Sequence, residues 1–387
     1  MLDLELRPTW AEIDLDALTH NYREIRKIVG DQVKILGVVK ADAYGHGSLE
    51  CAKALISAGA DILAVAFIDE AIALRQNGIR AEIMLLGFSP EAVIPQLVKY
   101  DIIPAVYQLS FAQALSDYCQ KEGLVHPIHI KVDTGMGRIG FSYREAVEMV
   151  KAIDRLEGVF IQGLFSHFST ADASDKAFTR LQFDRFSEVM AGIRQAGIEI
   201  PIYHIANSAA IFDLDGLHLD MVRPGIILYG LYPSDEVDRK KIDLKPVMSF
   251  KSRIVHLKTI EAGESLSYGN RYVASEERLI GTLPVGYADG YTRMLSGKAE
   301  VFINGQRAPI VGNICMDQCM VDLTDLSQVS LYDEVELFGK NLSADEVAQK
   351  LGTINYEITC LVNKRVPRVY YSHGSQIEIK REILEKM

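Results

Sequence analysis

The sequence predicts an eightfold (β/α) barrel of the α/β class followed by a mainly β domain, and three observations predict it. From Lys34 to about Tyr229, short β-branched runs alternate with helical patterns at roughly the spacing of one α/β unit. That texture ends in a charged, turn-rich segment, residues 233–241. Beyond it, strand candidates follow one another directly, and Asn304-Gly305 between apolar runs is a strong hairpin signal. A chain of 387 residues is also too long for one ordinary domain, which places a boundary between 1–235 and 236–387.

The strand candidates of the first domain lie at 35–39, 62–67, 83–86, 102–106, 128–132, 161–165 and 203–206, with a shorter one at 219–222. Between them, 69–77 reads as a short helix closed by Gly78, and Ser142 with Glu145 forms a capping-box pattern ahead of Ala146, Met149, Val150 and Ile153. The stretch 175–196 carries Phe178, Leu181, Phe186, Val189 and Ile193 at helical spacing and stops at Gly197. Strands separated by helices argue for a closed barrel, although a doubly wound open sheet produces a similar pattern. In the second domain, 252–259 and 279–283 read as strands. Asn304-Gly305 joins 301–303 to 308–311, and one helix, 343–350, starts at a Ser343/Glu346 cap.

A formal charge of −11 without a Lys/Arg cluster disfavours nucleic acid and anionic lipid as partners and leaves small molecules or proteins. Residues 1–8 lack the basic and hydrophobic regions of a secretory signal, and no apolar run approaches the roughly 20 residues that span a bilayer, so a cytoplasmic protein is expected. Five cysteines, an odd number without dense spacing, suit free thiols in a reducing compartment. Cys315 and Cys319 lie close together, but no second Cys or His pair completes a zinc site, so no metal is expected.

The most informative segment is Val38-Val39-Lys40-Ala41-Asp42-Ala43-Tyr44-Gly45-His46-Gly47. A lysine that ends an apolar strand stands at the rim where a barrel gathers its βα loops. Partial desolvation there lowers its pKa and frees the amine to condense with an aldehyde. A strand-end lysine that simply reaches water would look the same locally. The segment 39–47, however, resembles the cofactor-lysine motif of the alanine racemase family, which uses pyridoxal 5'-phosphate (PLP). The resemblance continues in order through 131–140 (Lys-Val-Asp-Thr-Gly-Met-Gly-Arg-Ile-Gly), 204–210, 222–225, 267–269, 284–290, 315–318 and 355–357, nearly the whole chain. It implies a PLP barrel followed by a β domain, a homodimer in which the second domain lends residues to the partner's active site, and racemisation of alanine to supply D-alanine for peptidoglycan.

The resemblance also assigns roles. Racemisation needs proton carriers on both faces of a planar carbon, while the cofactor stabilises the carbanion. Lys40 takes one face and Tyr268 of the partner subunit the other. A tyrosine titrates near pH 10, so a cation or donor must favour its phenolate; His167 is implied as that contact, with Arg223 behind it. Arg223 is implied to face the pyridine nitrogen, where a permanently charged guanidinium leaves that nitrogen largely unprotonated. Tyr44, Ser208, Gly225, Ile226 and Tyr356 match the phosphate contacts, with Asn207 opening the helix after the seventh strand. Arg138 matches the arginine for the substrate carboxylate, and Lys131 a lysine whose carbamylation would orient it. Met316 of the partner subunit is implied as a backbone donor, with Tyr287 and Asp317 of the partner subunit at the entrance. His46 reads as a loop residue and His204 as one behind the residues that touch the cofactor, with a satisfied structural histidine the favoured reading for either. Phe165, Ser166 and Asn270 depart from the expected pattern and bear on selectivity.

Three other readings compete. A racemase of another small amino acid such as serine would share these residues. A PLP-dependent decarboxylase would put a carboxylate where this chain offers Arg223. A non-catalytic PLP-binding protein of the single-barrel kind would lack the second domain.

Overall fold

The computed structural model describes residues 7–385; most of the 1–8 segment considered above lies outside the described residues. The chain forms two compact units. One comprises Leu18–Ala43 and Ser48–Lys245; the other comprises the chain up to Ala17, Tyr44–Gly47 and Pro246 onward. Sequence texture suggested a single cut at 235/236. The chain is divided differently because β1 (Thr9–Asp14) is a strand of the second unit, antiparallel to Met248–Arg253 and parallel to Arg368–Ser372.

The first unit is a (β/α)8 barrel. Its strands are β2 (Lys34–Val38), β3 (Ile62–Val65), β4 (Glu82–Leu85), β5 (Ile102–Ile103, continued by Ala105–Val106), β6 (His126–Asp133), β7 (Val159–Phe165), β8 (Ile202–His204) and β9 (Met221–Val222). Each neighbouring pair is parallel, in two arcs: β9-β2-β3-β4-β5 and β5-β6-β7-β8. Pro104 has no N–H and splits β5, yet its carbonyl accepts from His129 N–H at 3.1 Å and carries one arc into the next. The ring closes where Asp220 N–H donates to Tyr203 O and Arg223 N–H to Ala206 O, each at 3.1 Å. An open doubly wound sheet has no such closure. Ile35, Leu36, Leu63, Ile83, Met84, Ile130 and Leu164 are fully buried, as expected for strands covered on both faces.

The helices include α1 (Leu15–Val29), α2 (Ser48–Ala58), α3 (Ile68–Gln76), α4 (Ile94–Lys99), α5 (Leu109–Lys121), α6 (Ala146–Asp154), α7 (Ala177–Gln195) and α8 (Ser208–Asp213). The capping box expected from Ser142 and Glu145 does not start a helix at Ser142. Phe141–Ser142 instead pairs with the end of β6, and α6 begins at Ala146; Ser142 N–H donates to the Glu145 carboxylate at 3.2 Å.

In the second unit one ten-stranded sheet contains β10 (Met248–Arg253), β11 (His256–Ile260), β12 (Arg278–Leu283), β13 (Glu300–Ile303), β14 (Gln306–Val311), β15 (Cys319–Asp322), β16 (Glu334–Phe338), β17 (Arg368–Ser372) and β18 (Ser375–Lys380), together with β1. The run 252–259, read as one strand, is two. Its backbone changes neighbours at Ile254 and Val255, whose N–H groups donate to Asp333 O and Thr282 O. The hairpin turn holds Asn304 and Gly305 at φ 47° and 85°, the left-handed pair that a two-residue turn requires. Two helices, not one, interrupt the strands. α9 (Ala344–Leu351) has the expected cap, with Glu346 N–H donating to Ser343 Oγ at 3.1 Å, but α10 (Asn355–Leu361) is short and follows Ile354, which offers no capping oxygen. Among the described residues no helix is long and apolar enough to cross a membrane.

Candidate active site

Lys40 lies two residues beyond β2 at the carboxyl rim of the barrel and is half-buried. The backbone after it is unusual. Ala41, Asp42 and Ala43 have φ/ψ of 51/49°, 52/48° and 53/49°, a left-handed helical turn built from residues with a Cβ. Each such residue costs about 1–2 kcal/mol relative to a right-handed conformation. The turn is held from both sides. Ala43 N–H donates to Val39 O at 2.9 Å, Ser48 N–H to Asp42 Oδ1 at 2.7 Å, and Ala41 N–H to Glu70 Oε1 at 2.6 Å. The other Glu70 oxygen accepts from Ala66 and Phe67 N–H at 2.7 and 3.2 Å, so one carboxylate ties the start of α3 to the residue after Lys40. Neither Glu70 nor Asp42 was identified as a site residue from sequence.

Arg223 follows β9 and is buried, and among the described residues no carboxylate pairs with it. Its Nη1 donates to His204 Nδ1 at 2.8 Å, and its Nη2 to Ser166 O, His167 Nδ1 and Ile205 O at 2.8, 3.1 and 3.1 Å. Burial, with repulsion from Arg138, lowers its pKa to about 9, so it remains a cation at neutral pH. Because a guanidinium only donates, His167 must accept at Nδ1 and carries its proton on Nε2. Burial first, then Arg223, Lys131, Arg138 and Lys40, pushes the His167 pKa well down and keeps the ring neutral.

Phe165 and Ser166, flagged as departures, are supports of this cation. The Phe165 ring stacks on His204 with centroids 4.9 Å apart at 5°, and Arg223 lies 5.5 Å and Lys131 Nζ 4.6 Å from its centre. Ser166 Oγ is 2.8 Å from Thr134 Oγ1. Lys131 is buried, which together with Arg223 and Arg138 pushes its amine toward the neutral form; Arg138 itself is exposed. His204, expected behind the site and favoured as a satisfied structural histidine, is bonded directly to Arg223. Asn207 caps α8 as expected, its Oδ1 accepting from Ala210 N–H at 3.2 Å. Ser208 Oγ accepts from Gly225 N–H at 2.9 Å, which joins the loop after β8 to the loop carrying Ile226.

The other expected site residues belong to the second unit. The Tyr44 and Tyr356 rings lie 6.1 Å apart, tilted by 50°, and burial pushes the Tyr44 phenol up. His46 Nδ1 is 3.0 Å from Tyr44 O. Tyr268 is 73% exposed on a short turn in which Asn313 Nδ2 donates to Tyr268 O at 2.5 Å and Ser267 Oγ to Asn313 O at 2.7 Å. Asn270 adopts a positive φ in that turn. Tyr287 and Met316 are also exposed, and their loops are bonded together through Tyr287 N–H to Cys315 O and Ala288 N–H to Met316 O, both at 3.1 Å. Arg365 pairs with Asp317 at 2.7 Å and with buried Asp289 at 3.0 Å. The structure therefore presents Tyr268, Tyr287, Met316 and Asp317 on exposed segments of this unit.

A half-buried amine at a barrel rim and a buried guanidinium on neutral imidazoles fit a carbonyl-bearing cofactor with an unprotonated ring nitrogen. Among the described residues no group of His, Cys, Asp or Glu side chains could hold a metal ion. Residues 13–233 match the family model for the N-terminal domain of alanine racemase, and residues 247–370 match the model for its C-terminal domain. The alanine racemase of Clostridium novyi is 50% identical over 384 residues, covering 98% of this chain and 99% of that protein. An alanine racemase structure from Clostridium difficile superposes with a TM-score of 0.93 at 43% identity, covering 97% of this chain and 98% of that one. One from Bartonella henselae, described with covalently bound pyridoxal phosphate, gives a TM-score of 0.86 at 32% identity, covering 94% and 99%.

Proposed function

The chain belongs to the alanine racemase family, and we propose that it interconverts L-alanine and D-alanine with PLP held on Lys40, supplying D-alanine for peptidoglycan. The observation that carries this reading is the presence, each just after a barrel strand, of a half-buried lysine and a buried arginine that no described carboxylate neutralises. Bound PLP supplies an electron-accepting ring that makes the substrate's α-hydrogen acidic. The rest of the chemistry belongs to the protein.

Lys40 Nζ would hold the cofactor and would carry a proton to or from the substrate on one face. Arg223, a cation at neutral pH, would face the ring nitrogen as a donor that keeps its own proton, which would limit the electron sink and disfavour side reactions. Ser208, Gly225 and Ile226, joined by the Ser208 to Gly225 bond, hold the phosphate from the barrel, and the phosphate role of Tyr44 and Tyr356 rests on the resemblance. Arg138 binds the substrate carboxylate. The Lys131 amine, which burial, Arg223 and Arg138 push toward its neutral form, can add carbon dioxide, forming an N–C bond as one C=O bond opens and releasing a proton, and the resulting anion would orient Arg138. The opposite-face carrier is Tyr268 of the partner subunit, with the His167 Nε2–H as its hydrogen-bond donor. Its exposure, with that of Tyr287, Met316 and Asp317, supports a homodimer that shares these residues between subunits. A cytoplasmic location completes the reading.

The test is to incubate purified protein with L-alanine, follow its optical activity to zero, and map the pyridoxyl label after borohydride reduction. Label on Lys40 and complete racemisation are expected. Label on another lysine, faster turnover of serine than of alanine, an active monomer, or unchanged rates in both directions after Tyr268→Phe would each overturn the corresponding part.

A further inference from the structure

Arg223 is the inner end of a chain of polar side chains inside the barrel that ends on an exposed carboxylate. Its Nη1 is 2.8 Å from His204 Nδ1, His204 Nε2 is 2.8 Å from His129 Nδ1, His129 Nε2 is 3.3 Å from Gln162 Oε1, and Gln162 Nε2 is 3.2 Å from Glu82 Oε1. Both histidines are buried and Glu82 is exposed at the start of β4. The two ends of the chain decide every bond in it. A guanidinium can only donate, so His204 must accept at Nδ1 and carry its proton on Nε2, which makes His129 accept at Nδ1 and donate from Nε2. A carboxylate can only accept, so Gln162 must donate its amide nitrogen to Glu82 and turn its oxygen toward His129, requiring the same His129 tautomer from the opposite direction. Any other tautomer, or an imidazolium, sets two N–H groups or two lone pairs against each other in the interior.

The fold makes room for this arrangement. A strand irregularity between Ile128 and His129 interrupts the pairing of β6 with β7. A Cβ on Gly163 would lie 2.4 Å from the His129 ring, so only glycine admits the ring there. Burial lowers the His129 pKa to about 4 and that of His204 well below its usual value, which keeps both rings neutral.

We propose that His129 and Gln162 are positioning residues for Arg223: anchored on Glu82, they fix His204 as a hydrogen-bond acceptor and thereby hold one arm of the guanidinium in place. Neither residue belongs to the roles assigned above. The consequence for turnover rests on the racemase reading, whereas the tautomers do not.

The experiment uses holoenzyme labelled with 15N-histidine and long-range proton–nitrogen correlation near neutral pH. His129 and His204 are expected as neutral rings protonated at Nε2; either ring charged, or protonated at Nδ1, overturns the proposal. His129→Gln preserves the order of acceptor and donor, so His204 keeps its tautomer and kcat stays within about threefold of the parent. His129→Leu removes the acceptor, His204 loses its single tautomer, and kcat falls about tenfold, the equivalent of one hydrogen bond to a charged group. Gln162→Glu faces Glu82 with a like charge and draws a proton onto His129, which turns His204 toward the Nδ1–H form. Equal losses in His129→Gln and His129→Leu with an unchanged His204 tautomer would mean mere packing and refute the proposal. Should His129→Leu not fold, the parent tautomers and Gln162→Glu decide. A protein that never racemises alanine yet shows the expected tautomers would sink the functional reading and leave the hydrogen-bond chain standing.

Discussion

Replacing Glu70 by alanine removes the carboxylate that accepts from Ala41, Ala66 and Phe67 N–H and releases one flank of the left-handed turn after Lys40. A net hydrogen bond contributes about 1 kcal/mol, and one to a charged acceptor about 1.5–3. Glu70 is half-buried and partly screened by water, so the ordinary value of about 1 kcal/mol per bond applies, and losing all three bonds costs about 3 kcal/mol. Holding Ala41, Asp42 and Ala43 left-handed costs about 1–2 kcal/mol each, a total of the same order as the restraint. Without Glu70 the turn is therefore no longer secured, and Lys40 loses its fixed direction. Urea unfolding at unchanged m should show the stability loss. Reconstitution with PLP followed by borohydride trapping should label Lys40 several-fold more slowly. Glu70→Gln, which keeps one acceptor oxygen, should fall between parent and alanine variant in both assays. If Glu70→Ala unfolds within about 0.5 kcal/mol of the parent and Lys40 is labelled at the parental rate, the carboxylate is not what holds the turn.

Burial depresses the His129 pKa to about 4 against about 6.5 in an unfolded chain, so the unfolded state takes up the proton first as pH falls. Stability is thus complete above pH 6.5 and declines toward pH 4, by up to about 1.4 kcal/mol per pH unit for this histidine, with His167 and His204 acting in the same direction; a flat urea midpoint across that window would contradict it. Lys131→Met removes a buried amine, so it should leave stability equal or higher while, on the proposed role of Lys131 in orienting Arg138, lowering kcat/KM about 10–100-fold; steady-state kinetics beside thermal unfolding separates the two effects. Gly305→Ala places a Cβ at φ 85° in the hairpin turn and should cost about 1 kcal/mol, read by urea unfolding, with kcat unchanged.

The alternation of apolar runs and helical patterns marked every barrel strand to within a few residues, because burial on both faces leaves a local hydrophobic signature whatever the neighbours are. The linear motif around Lys40 and those carrying Arg138, Ser208, Arg223 and Tyr268 were legible for the same reason of locality: each is a short run of consecutive residues. α10, which carries Tyr356, was missed because it is short and opens without a capping side chain. β1 could not be assigned to the second unit, since its partners begin more than two hundred residues away. The left-handed turn leaves no local trace either, because Ala-Asp-Ala has no preference for positive φ and adopts it only under the restraint of Glu70 and Ser48. Nor does a string of residues at 82, 129, 162, 204 and 223 form any pattern along the chain. Strand order and register alone bring those polar groups within hydrogen-bond distance inside the barrel, and the low polarity there makes a single set of proton positions tolerable.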